Sequence, residues 1–264
     1  MTTHTVATNS TNIRFIDRLN SWIVSLVFIV HLIYELIVNK IPLKSLDDHN
    51  TTSPKLLITF SGLGGISRLY NGLRSRITTK NLEWRSEENV SALRSPMHKE
   101  MHAKVIPMLL AHCERWRHRA QVALVGHSLG AVDAVLAACE VREKFGGKIK
   151  LLTVGVAGAF GTKRAGVLSS LGVHRTVTEA ISINSPFLKR LSERSRRLPH
   201  HRRSEAVFVM SRLDNVIVPA RNSLYYEYPK SYSVRHFVMN GVGHDATIMA
   251  AYPVILESIS NFFV

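Results

Sequence analysis

The alternation of apolar and polar positions divides the chain before any motif is considered. Residues 1–20 are rich in Ser, Thr and Asn, with Arg14, Asp17 and Arg18 near their end, and read as a flexible polar leader. From Trp22 to Val38 the sequence is WIVSLVFIVHLIYELIV, where only Ser25, His31, Tyr34 and Glu35 carry polar groups besides the indole. Its length is at the short limit for a bilayer-spanning helix. It predicts an N-terminal hydrophobic helix that spans a membrane, lies in its interface or packs on soluble protein. A long leader and the lack of a small-residue cleavage site argue against a removed signal peptide. Arg14 and Arg18 on one flank balance Lys40 and Lys44 on the other, so orientation stays open. Ile41 to Pro54, with Pro42, Asp47, Asp48, Asn50 and a Thr-Thr-Ser run, suits a linker.

Beyond the linker, short continuous apolar runs alternate with longer helical patterns. KLLITF (55–60), QVALV (121–125), IKLLTVGVA (149–157), AVFVM (206–210) and SVRHFVM (233–239) predict strands. Residues 97–117, 129–145 and 247–263 predict helices. Strands apolar at successive positions, separated by helices, imply an α/β fold whose mostly parallel sheet is covered on both faces. The expected organisation is a leader, hydrophobic helix and linker over 1–50, then one catalytic-size domain over 51–264.

Composition adds a foldable core and an unusual charge. Hydrophobic residues make up 45% and charged residues 20%, far from the balance of disordered chains. The formal net charge is +15 and the isoelectric point about 10.2, which points to an anionic partner such as lipid headgroups or nucleic acid. Cys113 and Cys139 fall in separate predicted helices, a spacing that suits buried thiols rather than a metal cluster or disulfide framework.

The chemistry concentrates at the end of the second predicted strand. There stands Gly126-His127-Ser128-Leu129-Gly130, followed by the Ala-rich helical run AVDAVLAAC. A nucleophile on a tight strand-to-helix turn needs glycines on both sides, because neighbouring backbone approaches too closely for a Cβ. The following helix directs amide dipoles toward developing negative charge.

LVGHSLGA resembles the nucleophile elbow of α/β-hydrolases of the lipase and esterase type. The resemblance implies the α/β-hydrolase fold, with Ser128 as nucleophile and its partners following in the order acid, then histidine. Asp214, in the stretch VFVMSRLDNVIVP, is similar in place to the acid; His244, in NGVGHDATI before the last helix, is similar in place to the base. A serine hydroxyl attacks only once an imidazole takes its proton, and a carboxylate must hold that imidazole in one tautomer. Asp245, Asp133, His236 and His127 are expected to stand outside this arrangement. The resemblance further implies an oxyanion hole from the backbone amides of Leu129 and of Leu63, the latter in Ser61-Gly62-Leu63-Gly64-Gly65, where Ser61 replaces a frequent histidine. Read without the resemblance, that glycine-rich stretch also suits a plain turn.

Residues 186–203, PFLKRLSERSRRLPHHRR, hold seven Lys and Arg against one Glu. They lie within a segment, about 160–203, where this fold inserts a cap or lid. Phe187, Leu188, Leu191 and Leu198 interleave with the charges, as in a basic amphipathic segment on anionic headgroups; a solvated surface helix has the same composition. No nucleic-acid module accompanies the arginines, so nucleic acid is not an expected partner.

These readings converge on a membrane-associated serine ester hydrolase acting on acyl esters or lipids, through residues 22–38 and 186–203, with no metal or organic cofactor required. The side of the membrane stays open. The same triad would serve an acyltransferase or thioesterase, and a membrane-tethered binding protein with a hydrolase shell is the reading outside enzymes.

Overall fold

A computed structural model describes residues 53–62, 68–87, 104–170, 173–198, 204–225, 227–228 and 233–264. The leader, the hydrophobic stretch 22–38, Leu63, and residues 97–103 and 199–203 lie outside the described residues. Six strands, β1 (Lys55–Phe60), β2 (Leu82–Glu87), β3 (Gln121–His127), β4 (Lys150–Val156), β5 (Ser204–Ser211) and β6 (Ser233–Met239), form one sheet in the order β2-β1-β3-β4-β5-β6. Every neighbouring pair is parallel, with Lys55 in register with both Leu82 and Gln121. The helices are α1 (Arg68–Arg74), α2 (Ile106–Trp116), α3 (Leu129–Phe145), α4 (Ala165–Ser170), α5 (Arg175–Ile181), α6 (Pro186–Arg196), α7 (Ala246–Ala250) and α8 (Tyr252–Phe262).

Both sheet faces are apolar because alternate strand residues serve two cores. Leu57, Ala123, Val125, Leu152, Val154, Val207 and Val209 pack with Ile248, Ile255, Ile259 and Phe262 of α7 and α8. Their neighbours Leu56, Ile58, Val122, Leu124 and Leu151 pack on the other face against Leu109 of α2 and Ala134, Ala137 and Val141 of α3.

Two features depart from the pattern-based expectation. β2 has no continuous apolar run: Leu82 and Trp84 turn to the core while Glu83 and Arg85 pair with each other at 2.7 Å, as suits an edge strand. The expected single helix 247–263 is two helices that meet at Ala251. Pro253 explains the break, since it lacks an N–H for the carbonyl of Met249 and its ring crowds that carbonyl.

β1 leads to β2 on one side while β3 lies on the other, so the loops after β1 and β3 diverge and leave a crevice at the carboxyl ends of the strands. At the opposite end, the ammonium of Lys55 donates to the carbonyl of Phe263 at 2.6 Å and that of Lys150 donates to the carbonyl of Phe262. Two cations thus meet the negative end of the α8 dipole.

Candidate active site

Ser128 occupies the turn between β3 and α3 with φ 55° and ψ −119°, a backbone conformation that side-chain-bearing residues rarely adopt. Close packing enforces it. A Cβ on Gly126 would stand 2.1 Å from the carbonyl oxygen of Gly130, and one on Gly130 would stand 2.1 Å from that of Phe60. The turn is tied down by the Ser128 amide donating to Val156 at 2.9 Å, and by the Ala159 amide donating to the Ser128 carbonyl at 3.0 Å. Leu129 is the first residue of α3, so its amide has no acceptor within the helix and points with the helix N-terminus.

Loops from β5 and β6 bring the other two side chains to this turn. His244 Nε2 lies 2.9 Å from Ser128 Oγ, and His244 Nδ1 lies 2.8 Å from Asp214 Oδ2. Hydroxyl, imidazole and carboxylate are therefore in one hydrogen-bonded line, in which Nδ1–H donates to the carboxylate and Nε2 accepts from the serine. The Asp214 carboxylate also accepts from the amides of Val216 at 2.9 Å and Ile217 at 2.8 Å, and from the Ser223 hydroxyl at 3.2 Å. The His244 loop is pinned by Thr247, whose hydroxyl donates to the Gly243 carbonyl at 2.7 Å.

Asp214 and His244 are both buried, and their charges decide the titration. Burial works to raise the Asp214 carboxyl, but the His244 charge and hydrogen bond and the two amides outweigh it, holding the group below its ordinary value. Burial works to lower His244, but Asp214, by charge and hydrogen bond, and then Asp245 raise it to about 8.

His127, set aside in the sequence reading, does not contact the serine hydroxyl as a base but backs the histidine loop. Its Nε2 lies 3.2 Å from the His244 carbonyl, and the two rings are 5.1 Å apart. Burial, and then the His244 charge, push it down to about 3, so it stays neutral. Ser223 is a second supporting residue that the pattern of the sequence did not single out; only its position a few residues past Asp214 hints at it. Asp245 is buried beside the site rather than turned away from it. His236 and Asp133 stand apart from the triad: His236 contacts the Tyr225 carbonyl at 3.1 Å and Asp133 is buried inside α3.

An open cleft of about 650 Å³ lies between α6 and the turn Ala220–Ser223. Its walls include Phe160, Leu188, Leu224 and Tyr225, with Lys189 and Arg221 among its polar lining; Ser128 and His244 do not line it. It is tied to the triad at two points, because Phe160 follows Ala159 and Leu224 follows Ser223.

The sequence model of the lipase (class 3) family matches residues 57–179, a stretch that includes most of β1, the elbow and α3. The chain has the α/β-hydrolase fold, and the matched stretch is similar to class 3 lipases. Among solved structures, the hydrolase is similar to one described with LipS and LipT, two metagenome-derived lipolytic enzymes, at TM-score 0.57 and 16% identity over 80% of this chain and 94% of that one. It is also similar to a monoacylglycerol lipase of Paleococcus ferrophilus, at TM-score 0.52 and 14% identity over 78% and 94%. A third likeness is to the esterase domain of a Rhodothermus marinus protein, at TM-score 0.51 and 12% identity over 81% and 90%. At these identities the likeness to solved structures is one of fold. No curated protein sequence matches the hydrolase.

Proposed function

We propose that the hydrolase cleaves acyl esters through a covalent acyl-enzyme on Ser128. The observation that carries the reading is the unbroken hydrogen-bonded line from Ser128 Oγ through His244 to Asp214. Ser128 Oγ adds to the ester carbonyl carbon while its proton passes to His244 Nε2. The amide of Leu129 receives the oxyanion, with Leu63 as the second proposed donor. The tetrahedral centre collapses, the C–O bond to the alcohol breaks, and His244 returns the proton to the departing alkoxide. Water then adds to the acyl-enzyme, its proton taken by His244, and the acid leaves as Ser128 recovers its hydrogen. Asp214 keeps the imidazole in the required tautomer and balances the imidazolium.

Turnover of p-nitrophenyl esters of increasing acyl length tests this. Wild type is expected to hydrolyse the series and to be labelled by a fluorophosphonate, while Ser128→Ala does neither and melts as a folded protein. Equal rates for both proteins exclude Ser128 as nucleophile. An unreactive but folded wild type favours a binding protein that keeps a hydrolase shell.

We further propose that the hydrolase works at an anionic lipid surface. Support comes from the hydrophobic stretch 22–38 and from α6, where Lys189, Arg190 and Arg197 are exposed and make no ion pair among the described residues. The basic face is narrower than the sequence alone implies, because Arg194 pairs with Glu140 and Glu143, and Arg196 with Glu227. The apolar residues expected to meet headgroups are turned inward: Leu191 and Leu198 are buried in the core, and Phe187 and Leu188 pack against it. Among the described residues, no helix is long and apolar enough to cross a membrane.

A further inference from the structure

Beside the triad lies a carboxylate that the proposed reaction does not use. Asp245 is 7% exposed, and its Oδ1 is buried with no hydrogen-bond partner among the described residues. It precedes α7 yet its side chain does not cap that helix. Its carboxylate, a ring nitrogen of His127 and a ring nitrogen of His244 lie within 4.8 Å of one another. This trio is not arranged to grip a metal, since both nitrogens of His244 are engaged by Ser128 and Asp214.

A carboxylate removed from water needs compensation, by hydrogen bonds or by an opposite charge. The groups facing this one among the described residues are His244, Asp214 and His127. His127 is held neutral by burial and Asp214 is itself acidic. Only His244 can become a cation here, and it does so at the moment Ser128 gives up its proton.

We propose that Asp245 is a positioning residue of the active site, a second carboxylate that acts on the His244 base through charge and without a hydrogen bond to the ring. The proposal rests on the reading of His244 as base. Asp214 fixes the tautomer; Asp245 adds counter-charge to the imidazolium in a site with little water to screen it. Each of the two groups favours the charged form of the other. Among the causes acting on His244, Asp245 follows burial and Asp214 and raises it. Burial raises the Asp245 carboxyl, His244 opposes that, and Asp214 adds to it.

The test is the pH profile of kcat/KM for p-nitrophenyl ester hydrolysis by the full chain. Asp245→Asn is expected to move the acid limb to lower pH by about one unit and to reduce the plateau rate by about 2–5-fold, as a weaker base does. Asp245→Glu, which keeps the charge, is expected to return the limb toward its original place. Should Asp245→Asn fail to fold, Asp245→Ser supplies a neutral side chain suited to a helix start, with the same expected shift. A folded neutral variant whose limb stays within about 0.2 unit of wild type overturns the proposal. His244→Ala separates the two readings. If it is inactive while the limb of Asp245→Asn is unmoved, only the role of Asp245 fails; if it retains activity, the assignment of the base fails first.

Discussion

The imidazole of His244 is pulled in two directions, and its titration near 8 records the balance. Only the neutral ring accepts the proton of Ser128, so kcat/KM is expected to rise with pH through about 8. Stability runs the other way. A proton held more tightly in the folded state than at the ordinary value of 6.5 contributes stability fully present below 6.5 and lost as pH rises through about 8. Thermal melts from pH 6 to 9 against initial rates at the same pH check both signs; a flat rate profile excludes His244 as the titrating base. Removing the carboxylate with Asp214→Asn is expected to lower kcat about 10³–10⁴-fold by releasing the tautomer. That Ser128, Asp214 and His244 meet was legible in the sequence because each follows a strand and sits in a recognisable loop. His127, Ser223 and Asp245 were not: their contacts arise where loops far apart in the chain meet, and no spacing encodes that meeting.

Among the elements, β1 and α3 appear within the limits that the sequence implies, because residues covered on both faces leave an unbroken apolar run and an Ala-rich helix a dense buried pattern. β2 was missed since an edge strand keeps one polar face, and its two inward residues, Leu82 and Trp84, make too short a signal. The run over 247–263 was read as one helix because apolar spacing continues through Pro253, while the hydrogen bond that proline forfeits leaves no trace in hydropathy. The elbow makes a sharper demand. Gly130→Ala would drive a methyl to 2.1 Å from a β1 carbonyl, backbone that cannot swing aside. A loss of about 3 kcal/mol or more in urea unfolding is expected, together with loss of ester hydrolysis. Gly146 offers the contrast in space, since a Cβ there meets nothing within 4 Å, although its φ of +56° still carries the strain of a left-handed residue.

At the scale of the whole molecule, α6 shows how part of the excess of positive charge is consumed internally. Arg194 and Arg196 fasten the helix to the body, leaving Lys189, Arg190 and Arg197 to face outward. The full chain is expected to co-sediment with vesicles containing anionic phosphatidylserine more than with neutral ones, less so as salt rises. The triple variant Lys189→Glu, Arg190→Glu, Arg197→Glu is expected to lower that partition several-fold at about 1 kcal/mol per cation. Unchanged partition would assign attachment to other parts of the chain.

The clasp of Lys55 and Lys150 on the carbonyls of Phe263 and Phe262 joins the first strand and the fourth to the last helix. His244 lies between β6 and that helix, so the imidazole is held at Ser128 by a segment whose far end is docked beneath the strands. A nascent polypeptide can carry its elbow already formed and still be chemically silent. Weakening this bolt at the amino ends of two interior strands would disarm the serine without touching any residue near it.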